Sequence, residues 1–282
     1  MNKLNQLIQE IDALTPMPAI ANQLVEALNR DDCSAQDIAA IIQFDPSATA
    51  NLLKACNSAY YGLSNPVESI KDAVSILGTD TLVELVLLKS SAETLSINQE
   101  GYGHHEGSMW RHAVSSAMIA KAISEKKQIG NKNTIFTAAL LKDIGKTVLD
   151  RYVSGSFEKI NTLVRDRGVS FREAEKKVLG IDHAELSALV AKQWNFSSRM
   201  VHMIRHHHLA DPSVRDDLEI VIVYLSDCIC MMMGIGLGAD GLAYRFHADA
   251  IRSLDMSHDD IAMIIADFTV EMTELEDLLK LV

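Results

Sequence analysis

The residues that could do chemistry in this chain lie around Lys142 and Asp143, in the middle of the apolar stretch LLKDIGK at 140–146. Isolated histidines stand on both sides of this stretch, and one aspartate lies inside a later apolar run: His112, His183, the triplet 206–208 and Asp227. Imidazole and carboxylate groups together bind borderline divalent cations, which can lower the pKa of a bound water. Separations of roughly 20 to 40 residues fit ligands that project from different helices into a bundle interior, but do not establish a site.

Helical periodicity predicts that each of these residues lies on a helix. The predicted helices are 109–126 with His112, 134–152 with Lys142 and Asp143, 183–194 with His183, 198–208 with the histidine triplet, and an apolar helix around Asp227. Asp182 is the predicted N-cap of the helix that begins at His183. Ser170 with Glu173 predicts a capping box for the helix before it, which Gly180 closes.

The first hundred residues also predict helices, with no convincing strand pattern. An amphipathic helix is expected at 4–14, because the prolines in 15–18 must end it. A capping box at Ser34 and Asp37 and the N-cap pair Asp45-Pro46 predict two further helix starts. Later, Gly78 is expected to close a short helix with a left-handed cap. The predicted fold class is therefore all-α.

A shift in composition at 96–107 is the predicted boundary between two subdomains, an N-terminal helical one at 1–100 and a second at 101–282. His104 and His105 lie in this linker and are expected to be solvated. The last two helices are predicted to be short, with the second one starting near Asp267.

Composition excludes several classes of protein. The 282 residues carry a net charge of −12, and no basic patch counters it, so we expect no nucleic-acid partner. The apolar run 220–239 predicts a buried helix rather than a membrane span, because a carboxylate such as Asp227 costs at least ~2.5 kcal/mol at mid-membrane. The N-terminus lacks an apolar export signal, and the four scattered cysteines favour reduced core residues. We therefore expect a cytoplasmic protein without a membrane partner.

Several short motifs occur together in a fixed order. They are TPMPA at 15–19, DPSAT at 45–49, NSAYYG at 57–62, DAVSILG at 72–78, WRH at 110–112, LLKDIGK at 140–146, DHAE at 182–185 and IRHHH at 204–208. With these motifs the chain resembles the HDOD family (HD-related output domains) of bacterial signalling, which is related to HD and HD-GYP phosphohydrolases. The resemblance covers about 14–227. It implies an N-terminal helical bundle packed on an HD-like helical domain, and a role in signal transduction that often lacks catalysis.

The resemblance also implies which residues form the site. In HD relatives a histidine from an early helix, a His-Asp pair and a late aspartate hold a metal ion, and further histidines can hold a second one. The matching positions, here expected to be weak or vestigial ligands, are His112, Asp143, His183, His207, His208 and Asp227. His208 is the less certain of the two late histidines. Lys146, one turn after Asp143, is a candidate phosphate contact, although a lysine at an exposed helix end is an equal alternative.

Lys142 stands where the relatives place the histidine of the pair. A lysine with a reference pKa of ~10.4 would have to lose its proton to become a ligand. Its ammonium can instead pair with Asp143 or Asp227, whose charges are expensive to leave unpaired in a core. The hypothesis is that Lys142 is a built-in counterion in place of a metal ion. The alternative keeps a weakly bound metal, with Lys142 turned outward.

The sequence therefore predicts a non-catalytic signalling module that acts through protein interaction or through ligand sensing in a degenerate HD pocket. The expected partner is a signalling protein, and a small phosphorylated molecule is the expected ligand if the pocket senses one. No catalytic residue is assigned and no cofactor is expected. The alternative function is a metal-dependent phosphohydrolase acting on a nucleotide or cyclic nucleotide phosphoester, with Fe, Mn, Zn or Ni as the metal. The oligomeric state stays open.

Overall fold

The computed structural model of this protein describes residues 19–28, 30, 32–58, 60–63, 66–236, 238–239, 241, 244 and 247–281. The predicted helix at 4–14 and the motif at 15–18 lie outside these residues. Across the described ranges the regular elements are helices, apart from one isolated antiparallel bridge between Gln99 and His104. The predicted all-α class is confirmed.

The helices follow one another along the chain with short connections. They are α1 (Ala19–Leu28), α2 (Ala35–Gln43), α3 (Pro46–Cys56), α4 (Ile70–Leu95), α5 (Ser108–Lys127), α6 (Lys132–Leu141), α7 (Gly145–Ser154), α8 (Phe157–Arg167), α9 (Phe171–Leu179), α10 (His183–Gln193), α11 (Ser198–His206), a 3₁₀ turn (Pro212–Val214), α12 (Leu218–Met232), α13 (Ala248–Arg252) and α14 (His258–Leu281). The last helix begins earlier than predicted, because Ser257 and Asp260 cap it: the Ser257 N–H donates to Asp260 Oδ2 at 2.9 Å and the Asp260 N–H to Ser257 Oγ at 3.1 Å.

The described residues fall into two compact units. The larger unit is Glu93–Ile264, and the smaller unit consists of 19–92 with 265–281. All candidate site residues belong to the larger unit. The subdomain ranges expected from the sequence, 1–100 and 101–282, stay a prediction.

Helices of the smaller unit begin at the capping residues that the sequence predicts. Ser34 and Asp37 form a complete capping box at α2, and Asp45 caps α3 ahead of Pro46. The Asn57 side chain fixes the following loop, because it donates to the carbonyl of Val67 at 2.8 Å and accepts from its N–H at 2.7 Å. At Gly78 the helical dihedrals of α4 are interrupted, with φ 82° and ψ 162°. The positive φ agrees with the prediction, whereas ψ is not that of a left-handed cap.

Three helices form the centre of the larger unit. In it α5 packs against α6 and α12, while α11 packs against α6 and α10. The α12 segment Ile220–Cys230, which contains Asp227, is buried throughout, so the predicted buried helix is confirmed. No helix in the described part of the chain is long and apolar enough to cross a membrane.

The segment at 96–107 is a structured loop rather than a solvated linker. Gln99 and His104 exchange two backbone hydrogen bonds of 2.9 and 3.0 Å, which fold the loop back on itself. As a result the Tyr102 side chain is fully buried, and only 4% of His104 is exposed. The prediction that His104 is solvated was wrong, whereas His105 is exposed.

Candidate functional site

The segment carrying Lys142 and Asp143 is a tight turn between two helices. The continuous helix predicted at 134–152 is wrong here, because α6 ends at Leu141 and α7 begins at Gly145. Hydrogen bonds over three residues span the turn, from the Ile144 N–H to the Leu141 carbonyl (3.0 Å) and from the Lys146 N–H to the Asp143 carbonyl (2.9 Å). Such bonds wind the chain more tightly than an α-helix does. Both side chains of the turn lie in the interior: 0% of the Lys142 surface and 3% of the Asp143 surface are exposed.

Gly145 allows this turn to lie directly against the start of α10. A Cβ atom at Gly145 would lie 2.5 Å from the His183 carbonyl oxygen and 2.7 Å from the Ser187 backbone nitrogen. The Gly145 N–H donates to Ser187 Oγ at 2.8 Å. Because the crowding involves backbone atoms, a side chain here would push the turn and α10 apart.

The first half of the site is the lysine cluster, which comprises His112, Lys142, Asp143 and Asp227. The Lys142 ammonium contacts Asp143 Oδ2, and it lies 2.7 Å from Asp227 Oδ1 and 3.2 Å from His112 Nε2. His112 Nε2 is itself 2.7 Å from Asp227 Oδ1. The Ile235 carbonyl, which can only accept, lies 3.0 Å from His112 Nδ1, so this ring nitrogen is the donor. Two helices, α5 and α12, and the turn between α6 and α7 thus meet at the ammonium.

The charges of the lysine cluster stabilise one another. Burial by itself lowers the pKa of Lys142, but Asp143 and Asp227 outweigh it, so that the pKa is raised. Burial by itself raises the pKa of both carboxyl groups, yet Lys142 holds them well below their ordinary values, assisted by Lys146 at Asp143 and by His112 at Asp227. Lys146 Nζ lies 3.0 Å from Asp143 Oδ1. Two ammonium groups therefore face two carboxylates, and the charges balance.

The second half is the histidine cluster, which comprises His183, His207 and His208. His183 Nε2 lies 2.7 Å from His208 Nε2, and the rings of His207 and His208 lie 4.0 Å apart. Asp143 Oδ1 faces this cluster at 3.7 Å from His183 Nε2 and 3.9 Å from His207 Nε2. Asp143 therefore joins the two clusters. The His206 ring is not part of this cluster and lies 4.6 Å from the His202 ring, centre to centre.

Two residues that the sequence did not single out hold His183 in place. Glu175 Oε2 lies 2.6 Å from His183 Nδ1, and the Tyr102 hydroxyl donates to Glu175 Oε1 at 2.5 Å. Glu175 and Tyr102 are both fully buried. A signal for Glu175 was present, since it lies on the same face of α9 as Phe171, Ala174 and Leu179 at helical spacing. No comparable signal marked Tyr102, because its segment had the composition of a linker.

The three imidazoles of the histidine cluster have different proton affinities. Burial by itself lowers the pKa of His183, but Glu175 outweighs it and raises the pKa above its ordinary value. For His207, burial lowers the pKa to about 3. The pKa of His208 is also well below its ordinary value, because burial and the neighbouring rings disfavour its charged form. At neutral pH, His207 and His208 are therefore neutral imidazoles.

The two clusters differ in how well they fit a metal ion. In the lysine cluster an ammonium already contacts the carboxylates that would be ligands, so the residues present do not fit a metal. In the histidine cluster, His207 Nε2 is buried and has no hydrogen-bond partner among the described residues. The other ring nitrogens of His183 and His207 are held by Glu175 and by the Ile204 carbonyl, as is usual for histidine ligands.

The histidine cluster therefore fits a transition metal. Its three ring nitrogens lie within 4.8 Å of one another. His183, His207 and His208 would hold the ion, with Asp143 Oδ1 beside them. When bound there, a metal would lower the pKa of a coordinated water.

The structure brings all the predicted site residues together. The six metal candidates and Lys142 form the two clusters described above, and Lys146 contacts Asp143 and lies 5.7 Å from the centre of the Tyr102 ring. Lys146 is buried, so the alternative of an exposed helix-end lysine is wrong. A role as metal ligand for the six, or as phosphate contact for Lys146, stays a prediction.

The all-helical larger unit and its pocket of converging histidines and aspartates define the class of HD-related helical proteins. A family model of the HDOD domain matches residues 14–210. The chain belongs to the HDOD family, which confirms the resemblance seen in its motifs.

Known relatives agree with this assignment. An HDOD domain protein with unknown function from Geobacter sulfurreducens is 25% identical, with a TM-score of 0.71 over 97% of this chain and 96% of that one. A proposed signal transduction protein from Marinobacter aquaeolei VT8 is 18% identical, with a TM-score of 0.74. The match covers all of this chain and 61% of that one. A proposed phosphohydrolase from Shewanella amazonensis SB2B is 22% identical, with a TM-score of 0.68 over 98% of this chain and 97% of that one.

A curated relative, an uncharacterized protein of Treponema pallidum (strain Nichols), is 23% identical over 202 residues, or 72% of this chain. The chain spans only 39% of the length of that relative. Similar solved structures thus carry names from both signal transduction and phosphohydrolysis.

Proposed function

We propose that this chain is a non-catalytic regulatory HDOD module, in which Lys142 provides the positive charge that a metal ion provides in catalytic HD relatives. The position of the Lys142 ammonium supports this proposal. It contacts Asp143, lies 2.7 Å from Asp227 Oδ1 and is fully buried. The alternative in which Lys142 turns outward would require a buried ion pair to be broken.

The energetics favour the ammonium over an added metal ion. Removing one partner of a buried ion pair costs about 3 to 5 kcal/mol, because the remaining charge is left without compensation. A metal at His112, Asp143 and Asp227 would first have to displace Lys142 and then share the site with the second ammonium, that of Lys146. The output of such a module is a contact with a signalling protein rather than a reaction product.

The histidine cluster favours a second candidate function, a metal-dependent phosphohydrolase acting on a nucleotide or cyclic nucleotide phosphoester. The buried His207 Nε2 without a hydrogen-bond partner is the observation that supports it. We rank this function second, because the lysine cluster contributes no ligand position for a second ion.

The replacement Lys142→His tests the proposal by restoring the HD pair. We expect this variant to bind Mn²⁺ at least about tenfold more tightly than the wild type in calorimetric titrations, a difference of ~1.4 kcal/mol. The matched control is Lys177→His, which adds a histidine at an exposed position on α9 and should leave Mn²⁺ affinity unchanged. The wild type should show no hydrolysis of cyclic nucleotides or of bis(p-nitrophenyl) phosphate with Mn²⁺, Fe²⁺, Zn²⁺ or Ni²⁺.

Two results would contradict the proposal. One is metal-dependent turnover by the wild type that disappears in Asp227→Asn. The other is an Mn²⁺ affinity of Lys142→His that equals that of the Lys177→His control.

A further inference from the structure

A cleft on the larger unit opens beside the histidine cluster. His183 and His208 form part of its lining. Two arginines from separate segments also line it: Arg172 near the start of α9 and Arg215 just after the 3₁₀ turn.

Arg215 is anchored so that its outer nitrogens stay available. Its Nε donates to the Leu209 carbonyl at 3.1 Å. Leu209 is buried and has φ 51°, a left-handed conformation that is unfavourable for a non-glycine residue. Among the described residues no carboxylate forms an ion pair with Arg215. Asp211 is exposed, and its carboxylate accepts from the Ser213 hydroxyl and N–H at 2.7 and 2.9 Å.

Arg172 is positioned from the protein interior. One terminal nitrogen lies 2.8 Å from Asp182 Oδ2, an ion pair without hydrogen-bond alignment. Asp182 is fully buried, and its other oxygen caps α10 by accepting from the Glu185 N–H at 2.8 Å. Arg172 Nε is buried and has no hydrogen-bond partner in the described part of the chain. The buried carboxylate therefore fixes the guanidinium at the cleft wall.

The charge at this wall indicates the class of ligand. Glu173 is the one carboxylate among the described residues that line the cleft, and it accepts from the Ser170 N–H at 2.8 Å. In a chain with net charge −12, the Arg215 guanidinium, which has no acidic partner among the described residues, is a local site of positive potential. Guanidinium groups match phosphate oxygens with two parallel hydrogen bonds, which makes arginine a preferred residue for phosphate recognition. A carboxylate ligand would use one such pair, whereas a terminal phosphate has enough oxygens for both arginines.

We infer that this cleft binds a small phosphate ester through Arg215 and Arg172 and holds it without hydrolysing it. The ligand would then be the input of the regulatory module, and this part of the inference rests on the proposed function. The anchored Arg215 and the fixed Arg172, which line the same cleft, support the binding itself, which requires no metal.

The test is calorimetric titration of the full chain with inorganic phosphate, 5′-AMP and adenosine, all in the presence of EDTA. We expect saturable binding of phosphate and AMP and none of adenosine. Arg215→Gln should weaken AMP binding at least about tenfold, since it removes the charge-assisted hydrogen bonds to the phosphate. Arg167→Gln, at an exposed position on α8, is the matched control and should bind AMP like the wild type.

A second variant, Arg215→Lys, keeps the positive charge but cannot form the two parallel hydrogen bonds of a guanidinium. Its AMP affinity should lie between those of the wild type and Arg215→Gln. The inference is overturned if neither AMP nor phosphate binds saturably, if adenosine binds as tightly as AMP, or if Arg215→Gln and Arg215→Lys both match Arg167→Gln. Because EDTA removes metal-dependent turnover from the experiment, failure here is distinct from failure of the proposed function, which is measured by Mn²⁺ affinity and hydrolysis.

Discussion

The lysine cluster and the histidine cluster share Asp143 but bury their polar groups in different ways. In the lysine cluster the Lys142 ammonium contacts both carboxylates, and every charge has a partner. In the histidine cluster, Glu175 and the Ile204 carbonyl hold one nitrogen of His183 and of His207, and the other nitrogen of each faces the centre of the cluster. One half of the pocket thus contains its own cation, while in the other half ring nitrogens of histidines face one another.

This difference shows how much one substitution can change in a shared pocket. Lys142 affects the lysine cluster, in which carboxylates predominate, because an ammonium stabilises the charged form of a neighbouring carboxylate. The neutral rings of His207 and His208 gain nothing from it, and Lys142 contributes to lowering the pKa of His207 further. The same ammonium therefore stabilises the charges of one cluster and disfavours a charge in the other.

Removing the ammonium should have the largest effect. Lys142→Met leaves Asp143 and Asp227 buried with one fewer counterion, so we expect a loss of about 3 to 5 kcal/mol in the free energy of unfolding. Urea denaturation followed by tryptophan fluorescence measures it, because Trp110 and Trp194 are the two tryptophans of the chain and both lie in the larger unit.

The control for this variant is Lys177→Met, an exposed position where we expect a change within about 0.5 kcal/mol. If Lys142→Met were as stable as this control, the ammonium would not be the partner of the two carboxylates, and the contrast between the clusters would disappear.

Disturbing the support of the histidine cluster should have an intermediate effect. Glu175→Gln removes the carboxylate that holds His183 and accepts from Tyr102, and we expect a loss of about 1.5 to 3 kcal/mol in the same urea experiment. Tyr102→Phe removes only the hydroxyl donor and should cost less, about 1 kcal/mol. The exposed Glu158→Gln is the control. Equal stability of Glu175→Gln and Glu158→Gln would show that His183 does not depend on the buried carboxylate.

Lowering the pH should change the stability contributions of the two clusters differently, and we expect this effect to be smaller than those of the substitutions above. Burial lowers the pKa of His207 to about 3, whereas the unfolded chain takes up this proton near pH ~6.5. The unfolded state therefore binds more protons below that pH, and stability falls as the pH decreases. His183 has a raised pKa and acts in the opposite sense, since its contribution is complete below pH ~6.5 and is lost as the pH rises through its folded value.

The variant His207→Asn isolates this contribution, because asparagine can still donate to the Ile204 carbonyl and does not titrate. Between pH 7 and pH 5 the wild type should lose roughly 1 to 2 kcal/mol more than the variant. Lys142, Asp143 and Asp227 should add nothing in this range, because the pKa values of the two carboxyl groups are lowered and that of Lys142 is raised. Parallel stability profiles of wild type and His207→Asn would refute the assignment of a neutral buried His207.

Much of the fold was predictable from short stretches of sequence. The capping boxes at Ser34 and Ser170 and the N-caps Asp45 and Asp182 all lie where their local patterns indicate. These signals depend on hydrogen bonds between residues three positions apart, which the sequence displays directly. The prediction of one continuous helix at 134–152 was wrong for a different reason. The residue types at 142–144 are compatible with a helix, but packing against α10 stabilises a tight turn there.

The sequence by itself determined the helical class, the family and the residue types of both clusters, because periodicity, caps and motifs are properties of neighbouring residues. Only the tertiary structure decided that the Lys142 ammonium lies between Asp143 and Asp227, that Tyr102 and Glu175 hold His183, and that Arg172 and Arg215 line one cleft. Each of these facts depends on burial and on distances between residues far apart in the chain. The cost of a buried charge and the value of its partner exist only once those distances are fixed.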